Sequence, residues 1–546
     1  MNQVEETLKT LIKKALYNAF SLETNDIHLE KPSEKSHGDY ATNIAMTLAK
    51  TLRKNPMAIG EEIIASLEEN PIVENVELAR PGFINFFVDK SVFFTVISEI
   101  LSQKEKFGDG TIGEDRRVNI EFVSANPTGS LHVGHARGAA AGDTMARIMK
   151  KAGFEVTKEF YVNDGGKQIE NLAKSVEARY KQLFGIDAAI PEDGYHGREI
   201  RAIAQAMKEA HGDRFLKEDG LDTFREEGVK RLLEGLKEDL FAFGVEFDVF
   251  FSEKSLYEEG EVEKTLEFLQ NEGHTYKHEG ALFLKTTAFG DEKDRVVVKS
   301  DGHYTYLLPD IAYHKNKLSR GFDLLIDILG GDHHGYIPRL KAGIRMVGGE
   351  DDTLEVDILQ MVKVLQDGKE IKMSKRSGKA ITLRDLIDAV GSDAVRYFFA
   401  KHSLNTHMDL DLDLAIKQSN DNPVYYAQYA HARIMSVFRK AQEEQYDIEF
   451  VNDEFTHLDH EKVYDLLDAL SEYPALIEDA AKTRNFHKVT NYIHDLAQKL
   501  HTLYSAFPFL VDKKRARNER LSLLEAVRIV LKDALRLIGV DAPEKM

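Results

Sequence analysis

Apolar residues recur along this chain with two periods. Runs such as Arg117-Val-Asn-Ile-Glu-Phe-Val123 and Asp323-Leu-Leu-Ile-Asp-Ile-Leu329 are short, apolar and β-branched, which predicts buried strands. Residues 136–151 are rich in Ala, Met and Arg at helical spacing, so a helix should follow the first strand after a turn. Residues 181–250 are charged with a helical period, and 207–238 set acids and bases between Leu and Phe, the pattern of a solvated helical insertion. From Asn422-Pro423 onward the period is almost wholly helical, which predicts a bundle.

These shifts divide the chain into an α+β segment over residues 1–110, an α/β segment over 111–379 holding the helical insertion, a helical connector over 380–421 and an all-α segment over 422–546. A length of 546 residues with 42% hydrophobic content is enough for several cores. There is no cysteine, which excludes disulfides and thiolate–zinc sites and suits a reducing cytoplasm. No stretch reaches the roughly 18 apolar residues that a membrane span needs. Met1-Asn-Gln-Val-Glu-Glu also lacks a signal pattern, so a cytoplasmic protein without a membrane partner is expected. The net charge of −20 argues against a general nucleic-acid binder; a specific nucleic-acid site would need local basic strips in an acidic protein.

The candidate chemistry begins between the first strand and its helix. Pro127-Thr128-Gly129-Ser130-Leu131-His132-Val133-Gly134-His135 places two histidines at the positive end of that helix. Free N–H groups and the macrodipole favour phosphate there. Gly134 removes a side chain where a base or ribose could press against the backbone. The pair could also be a metal site or a polar cap, although no cysteine is present to complete a metal site. Far downstream, Lys372-Met373-Ser374-Lys375-Arg376-Ser377-Gly378 follows an Asp367-Gly368 turn, and five cations lie from Lys369 to Lys379 inclusive. Alone, such a run is a solvated basic loop. After the histidine turn, it becomes a second phosphate-directed element.

His132-x-Gly134-His135 followed by Lys372-Met-Ser-Lys375 resembles the paired signatures of class I aminoacyl-tRNA synthetases. Glu121-Phe-Val-Ser-Ala-Asn126-Pro127-Thr-Gly, Tyr161-Val-Asn163-Asp164-Gly-Gly-Lys-Gln168, Tyr304-Thr-Tyr306-Leu-Leu-Pro-Asp310 and Asp533-Ala-Leu-Arg536 are similar to the arginyl-tRNA synthetase family in particular, and the likeness runs along the whole chain. The resemblance implies a multidomain α/β protein. Its catalytic domain would be a Rossmann-type parallel sheet, between an α+β N-terminal domain that meets tRNA and an all-α anticodon-binding bundle. It implies ligation of L-arginine to its tRNA in two steps, through arginyl-adenylate and then the 2′-hydroxyl of the terminal adenosine. ATP would be a substrate, with Mg2+ on its phosphates. The family is mostly monomeric, and its members typically bind tRNA before activating arginine.

By the same resemblance His132, His135, Lys372 and Lys375 would serve catalysis, and His132, Gly134, His135, Asp332, Met373 and Ser374 would bind ATP. Glu121, Asn126, Tyr306, Asp310 and His333 would bind arginine, Asn126 at its α-amino and carboxylate end. This suits the residues' own chemistry, since a planar guanidinium pairs best with carboxylates. Phe83, Asn85, Tyr425, Tyr429 and the terminal Met546 would meet tRNA, by stacking on bases or reading their edges. This chain departs from the family in two places. Many relatives lack a complete Lys-Met-Ser-Lys loop, which is present here. A glutamine common in the family near residues 332–334 is replaced by Asp332, His333 and His334, so the division of ribose and arginine contacts among these stays open. Three other readings stand beside this one: a small-molecule nucleotidyltransferase, a non-catalytic RNA-binding relative, and another class I specificity.

Overall fold

The computed structural model describes residues 3–32, 34–372 and 380–546. Five strands form its central sheet: Arg117–Glu121, Glu155–Val162, Val249–Ser252, Leu324–Gly330 and Leu354–Leu359. The first lies at the centre. The chain winds outward through the second and third on one side, then returns to lay down the fourth and fifth on the other. Every neighbouring pair is parallel. Winding therefore reverses between Arg117–Glu121 and Leu324–Gly330, and such a reversal opens a crevice at the carboxyl ends of the two strands. Val118, Ile120, Leu325 and Ile326 are wholly buried, as expected of a sheet covered on both faces.

Helix Val133–Lys151 covers one face. Its run of Ala and Gly brings the backbone close to the sheet: a Cβ at Gly142 would lie 2.2 Å from the Phe122 ring. The helical insertion begins earlier than the charge pattern indicated. Helix Gly166–Gln182 packs with Arg198–His211 and Leu221–Ala242, and its Leu172, Val176 and Tyr180 share a buried cluster with Phe215 and Phe224. A second small unit went unread in the sequence, an antiparallel sheet of Thr275–His278, Ala281–Leu284 and Arg295–Val298 that packs on helix Leu307–Ser319.

The N-terminal region has its own core, with helix Gln3–Phe20 against the antiparallel strands Tyr40–Thr42, Phe83–Val88 and Val73–Ala79. Helix Thr95–Gln103, upstream of the boundary expected near residue 110, instead places Val96, Ile97 and Ile100 in the main core. In the connector, Asp409-Leu-Asp-Leu-Asp-Leu414 forms the strand Met408–Asp411 and a short helix capped by Asp411, whose carboxylate accepts from the Leu414 N–H. Helices Pro423–Glu443, Glu461–Thr483, His487–Ala506 and Lys514–Leu537 complete the chain as a bundle continuous with the main core. Among the described residues, no helix is long and apolar enough to cross a membrane.

Candidate active site at the reversal of the sheet

His132 is the N-cap of helix Val133–Lys151. Its Nδ1 accepts from the Gly134 N–H at 3.1 Å, while its own N–H donates to Nδ1 of His135 at 3.2 Å. The two imidazoles stack with centroids 3.6 Å apart. Because each Nδ1 is an acceptor, each neutral ring carries its proton on Nε2. Burial lowers the pKa of both, and His132 helps to bring His135 down to about 4. The turn thus presents two neutral Nε2–H donors at a helix N-terminus, a place that favours phosphate.

The basic element is tied directly to this turn. The Val133 N–H donates to the Ile381 carbonyl at 3.1 Å, and the Leu383 N–H to the Leu131 carbonyl at 2.8 Å. On the other flank, the Ile371 N–H donates to the Val364 carbonyl at 2.8 Å, and the next residue, Lys372, is exposed. Both flanks of the loop are therefore anchored. Met373, Ser374 and Lys375 lie outside the described residues.

An acidic wall lies at the strand ends. Asp327, Glu121 and Glu159 are register partners across three neighbouring strands, so three carboxylates stand in one row. Helix Leu307–Ser319 faces them with Asp310, Tyr313, His314 and Lys317, residues that share one helical face by their spacing. Lys317 Nζ donates to Glu121 Oε2 at 2.6 Å and to Asp327 Oδ1 at 3.1 Å. Arg320, just beyond the helix, grips both oxygens of Glu159 at 2.7 and 2.8 Å. His314 reaches Asp327 Oδ2 at 2.8 Å through Nε2 and the Asp310 carbonyl at 2.7 Å through Nδ1. Both partners are acceptors, so both ring nitrogens carry protons. Burial opposes that charge, but Asp327 prevails and the His314 pKa is raised.

Two further acids face the same space without ion-pair partners among the described residues. Burial pushes Asp310 up to about 6, although its carboxylate accepts from the Tyr336 hydroxyl. Burial, Asp310 and Asp164 push Glu253 up to about 7, and its Oε2 has no hydrogen-bond partner among the described residues. Glu253 was missed in the sequence because it begins a short helix after an edge strand, with no motif around it. The motif at residues 161–168 explains its placement. Asp164 accepts from Ser252 Oγ at 2.6 Å and from the Lys254 N–H at 3.0 Å, and the Tyr161 hydroxyl bonds Glu253. Gln168, from the same motif, accepts from Asn126 Nδ2 at 2.5 Å.

The remaining expected residues are distributed as follows. Tyr306, 85% exposed, stands at the rim of a cleft of about 540 Å³ with Asp310, Asp332, His333 and Tyr336, and it is Tyr336 that bonds Asp310. Asp332 and His333 lie on the exposed turn Gly331–Tyr336 at the end of the fourth strand. Glu121 already has both oxygens engaged, by Lys317 and by Ser124 Oγ at 2.9 Å. Among the described residues no group of three or more potential ligands gathers for a metal, the His333-His334 pair included.

Of the expected tRNA contacts, Phe83 is half-buried and Asn85 lies two residues on in the same strand. Asn85 is 4% exposed in the middle strand, on the face opposite Ile84, Phe86 and Val88. Tyr425 and Tyr429 stack at 5.9 Å, and Tyr429 also stacks on His501 at 5.6 Å. Met546, 53% exposed, ends a tail that the bundle's first helix fastens, since Arg439 donates to the Glu544 carbonyl at 2.8 Å.

The far end of helix Val133–Lys151 enters the bundle. Lys151 pairs with Asp533 at 3.0 Å, and Arg147 donates to the Arg536 carbonyl at 2.9 Å. The Asp-Ala-Leu-Arg tetrapeptide therefore forms a contact with the catalytic helix.

Three family models cover the chain. The arginyl tRNA synthetase N-terminal domain matches residues 6–88, the class I (R) tRNA synthetase catalytic domain residues 96–436, and the DALR anticodon binding domain residues 427–546. The arginine–tRNA ligase of Bacillus licheniformis is 52% identical, with all of both chains covered. That of Bacillus subtilis is 50% identical over 100% of this chain and 99% of its own. A Thermus thermophilus arginyl-tRNA synthetase structure shares the fold at a TM-score of 0.74, with 22% identity and all of both chains covered. With the reversal crevice, the paired phosphate elements and the acidic wall, these matches place the chain in the class I arginyl-tRNA synthetase family.

Proposed function

We infer that this protein charges tRNA with arginine, using ATP. The observation that carries the reading is the direct backbone link between the histidine turn and the segment after the basic loop, beside an acidic wall with two carboxylates that have no ion-pair partner among the described residues. In the first step the arginine carboxylate attacks the α-phosphate of ATP and pyrophosphate leaves. Negative charge grows on the α-phosphate oxygens and on the leaving group, so catalysis is a matter of position and donors. Nε2–H of His132 and His135 meet the phosphates, and Gly134 leaves room for the nucleoside. Lys372 and Lys375 take the leaving pyrophosphate.

Asp310 and Glu253 hold the guanidinium, with Tyr306 and His333 at the rim and Asn126 at the α-amino end. Asp332 faces the nucleotide side of the turn, with Met373 and Ser374 completing the ATP site from the loop. In the second step the 2′-hydroxyl of the terminal adenosine takes the arginyl group. Mg2+ accompanies ATP as the counter-ion of its phosphates and needs no protein cage. Phe83, Asn85, Tyr425, Tyr429 and Met546 meet the tRNA, and cytoplasmic placement and a monomeric state complete the reading.

ATP–pyrophosphate exchange with each amino acid, with and without bulk tRNA, tests this. Exchange with arginine alone is the expected result. Exchange with another amino acid would keep the fold and discard the pocket assignment.

A further inference from the structure

The acid row raises a question of charge. Carboxylates directly opposite one another on neighbouring strands repel, and here three stand in succession: Asp327, Glu121 and Glu159. Each is buried. Helix Leu307–Ser319 and the residue after it bring exactly matched compensation in kind: Arg320 for Glu159, Lys317 for Glu121 and Asp327, and a doubly protonated His314 for Asp327. Three negative charges meet three positive ones, and the row is internally neutral. Asp310 and Glu253 lie outside this balance, and among the described residues neither has an ion-pair partner.

Lys317 is the centre of the arrangement. It is wholly buried, bridges two strands, and sits on the same helix as Asp310. From it one branch runs to Glu121. The other runs through Asp327 and His314 to the carbonyl of Asp310 itself, closing a loop of hydrogen bonds between the strand ends and the substrate-facing turn.

We propose that Lys317 is a positioning residue for the substrate arginine: it neutralises the acid row and so reserves Asp310 and Glu253 for the guanidinium. This rests on the reading of the cleft as an arginine site. Without Lys317, Glu121 and Asp327 become competing acids next to the binding carboxylates, and the turn carrying Asp310 loses one of its anchors. Arginine then binds in the wrong place or at the wrong depth. ATP, on the histidine side, is unaffected.

The test is steady-state ATP–pyrophosphate exchange in the presence of tRNA, on the full-length wild type and the variants K317M, K317R and K317M/D327N. K317M is expected to raise the arginine KM at least tenfold while the ATP KM stays within twofold, and K317R to recover most of the loss. The double variant removes one negative charge along with the positive one. It is expected to restore arginine KM at least threefold relative to K317M, which a packing role for Lys317 would not produce. A rise below tenfold in K317M, or one that the second change fails to reduce threefold, overturns the proposal. Should K317M not fold, K317M/D327N carries the test: an arginine KM raised less than tenfold upholds the proposal and a larger rise overturns it. Absence of arginine-dependent exchange in the wild type would overturn the functional reading as well, whereas its presence beside an unaltered K317M overturns the proposal alone.

Discussion

Val133 and Ile381 join the two phosphate-directed elements: the N–H of Val133, the first residue of its helix, donates to the Ile381 carbonyl at 3.1 Å. This bond can be removed cleanly. Proline is well tolerated at the first helical position, and His132 before it already has the extended backbone that proline requires (φ −94°, ψ 173°). Val133→Pro should therefore fold, with a melting temperature lowered slightly by the loss of the donor to the Ile381 carbonyl. It should slow ATP–pyrophosphate exchange about three- to tenfold, the worth of one hydrogen bond, and leave arginine KM alone. A thermal melt beside exchange kinetics checks both halves.

His135 accepts the His132 N–H only while its Nδ1 is unprotonated. Its folded pKa of about 4 lies below the ordinary value of 6.5, so the unfolded chain binds the extra proton first. The stability it contributes is complete above about pH 6.5 and declines as pH falls toward 4. His135→Ala should lower the exchange rate by about 100- to 1000-fold, and its denaturation midpoint should vary less with pH between 6.5 and 4 than that of the wild type. Urea titrations across that range decide it.

Glu253 carries the opposite sign. Its carboxyl is raised to about 7 from 4.5, so its contribution to stability is fully present below about pH 4.5 and is lost as pH rises through 7. Glu253→Gln should melt higher than the wild type at pH 8, where the wild type holds an uncompensated buried charge. The same change removes a charge-assisted bond to the guanidinium, worth roughly 1.5–3 kcal/mol, so arginine KM should rise at least tenfold. A variant that gains stability and keeps its arginine KM would remove Glu253 from the pocket.

Lys151 joins the catalytic helix to the bundle through Asp533, which also accepts from the Tyr473 hydroxyl at 2.7 Å. Both charged side chains are almost fully buried, and removing one partner of such a pair typically costs about 3 kcal/mol or more. Lys151→Met should lose about that much stability in a denaturant titration, with the arginine KM unchanged in the folded protein.

Local signals were legible wherever a short stretch of chain decides its own structure. The helix at 133–151 has a histidine cap at its start, and the bundle opens at Asn422, whose side chain accepts from the Val424 N–H at 3.1 Å ahead of a proline at the first helical position. Asp310 was legible as a candidate from its motif. Glu253 was not, because what makes it reactive is its distance from Asp310 and Asp164, which lie in other segments of the chain.

The family was readable from the chain alone, through the resemblance of its motifs to class I arginyl-tRNA synthetases, since motifs and helix caps are local and survive without a fold. The tertiary structure alone decided how the pocket's charge is arranged. The register that aligns Asp327, Glu121 and Glu159 arises from strands separated by long stretches of chain, and the same alignment requires Lys317, His314 and Arg320 to be spent on the row. Which acids remain for the substrate is therefore a property of packing, because a charge is satisfied by whatever lies within a few ångströms and not by its neighbours in sequence.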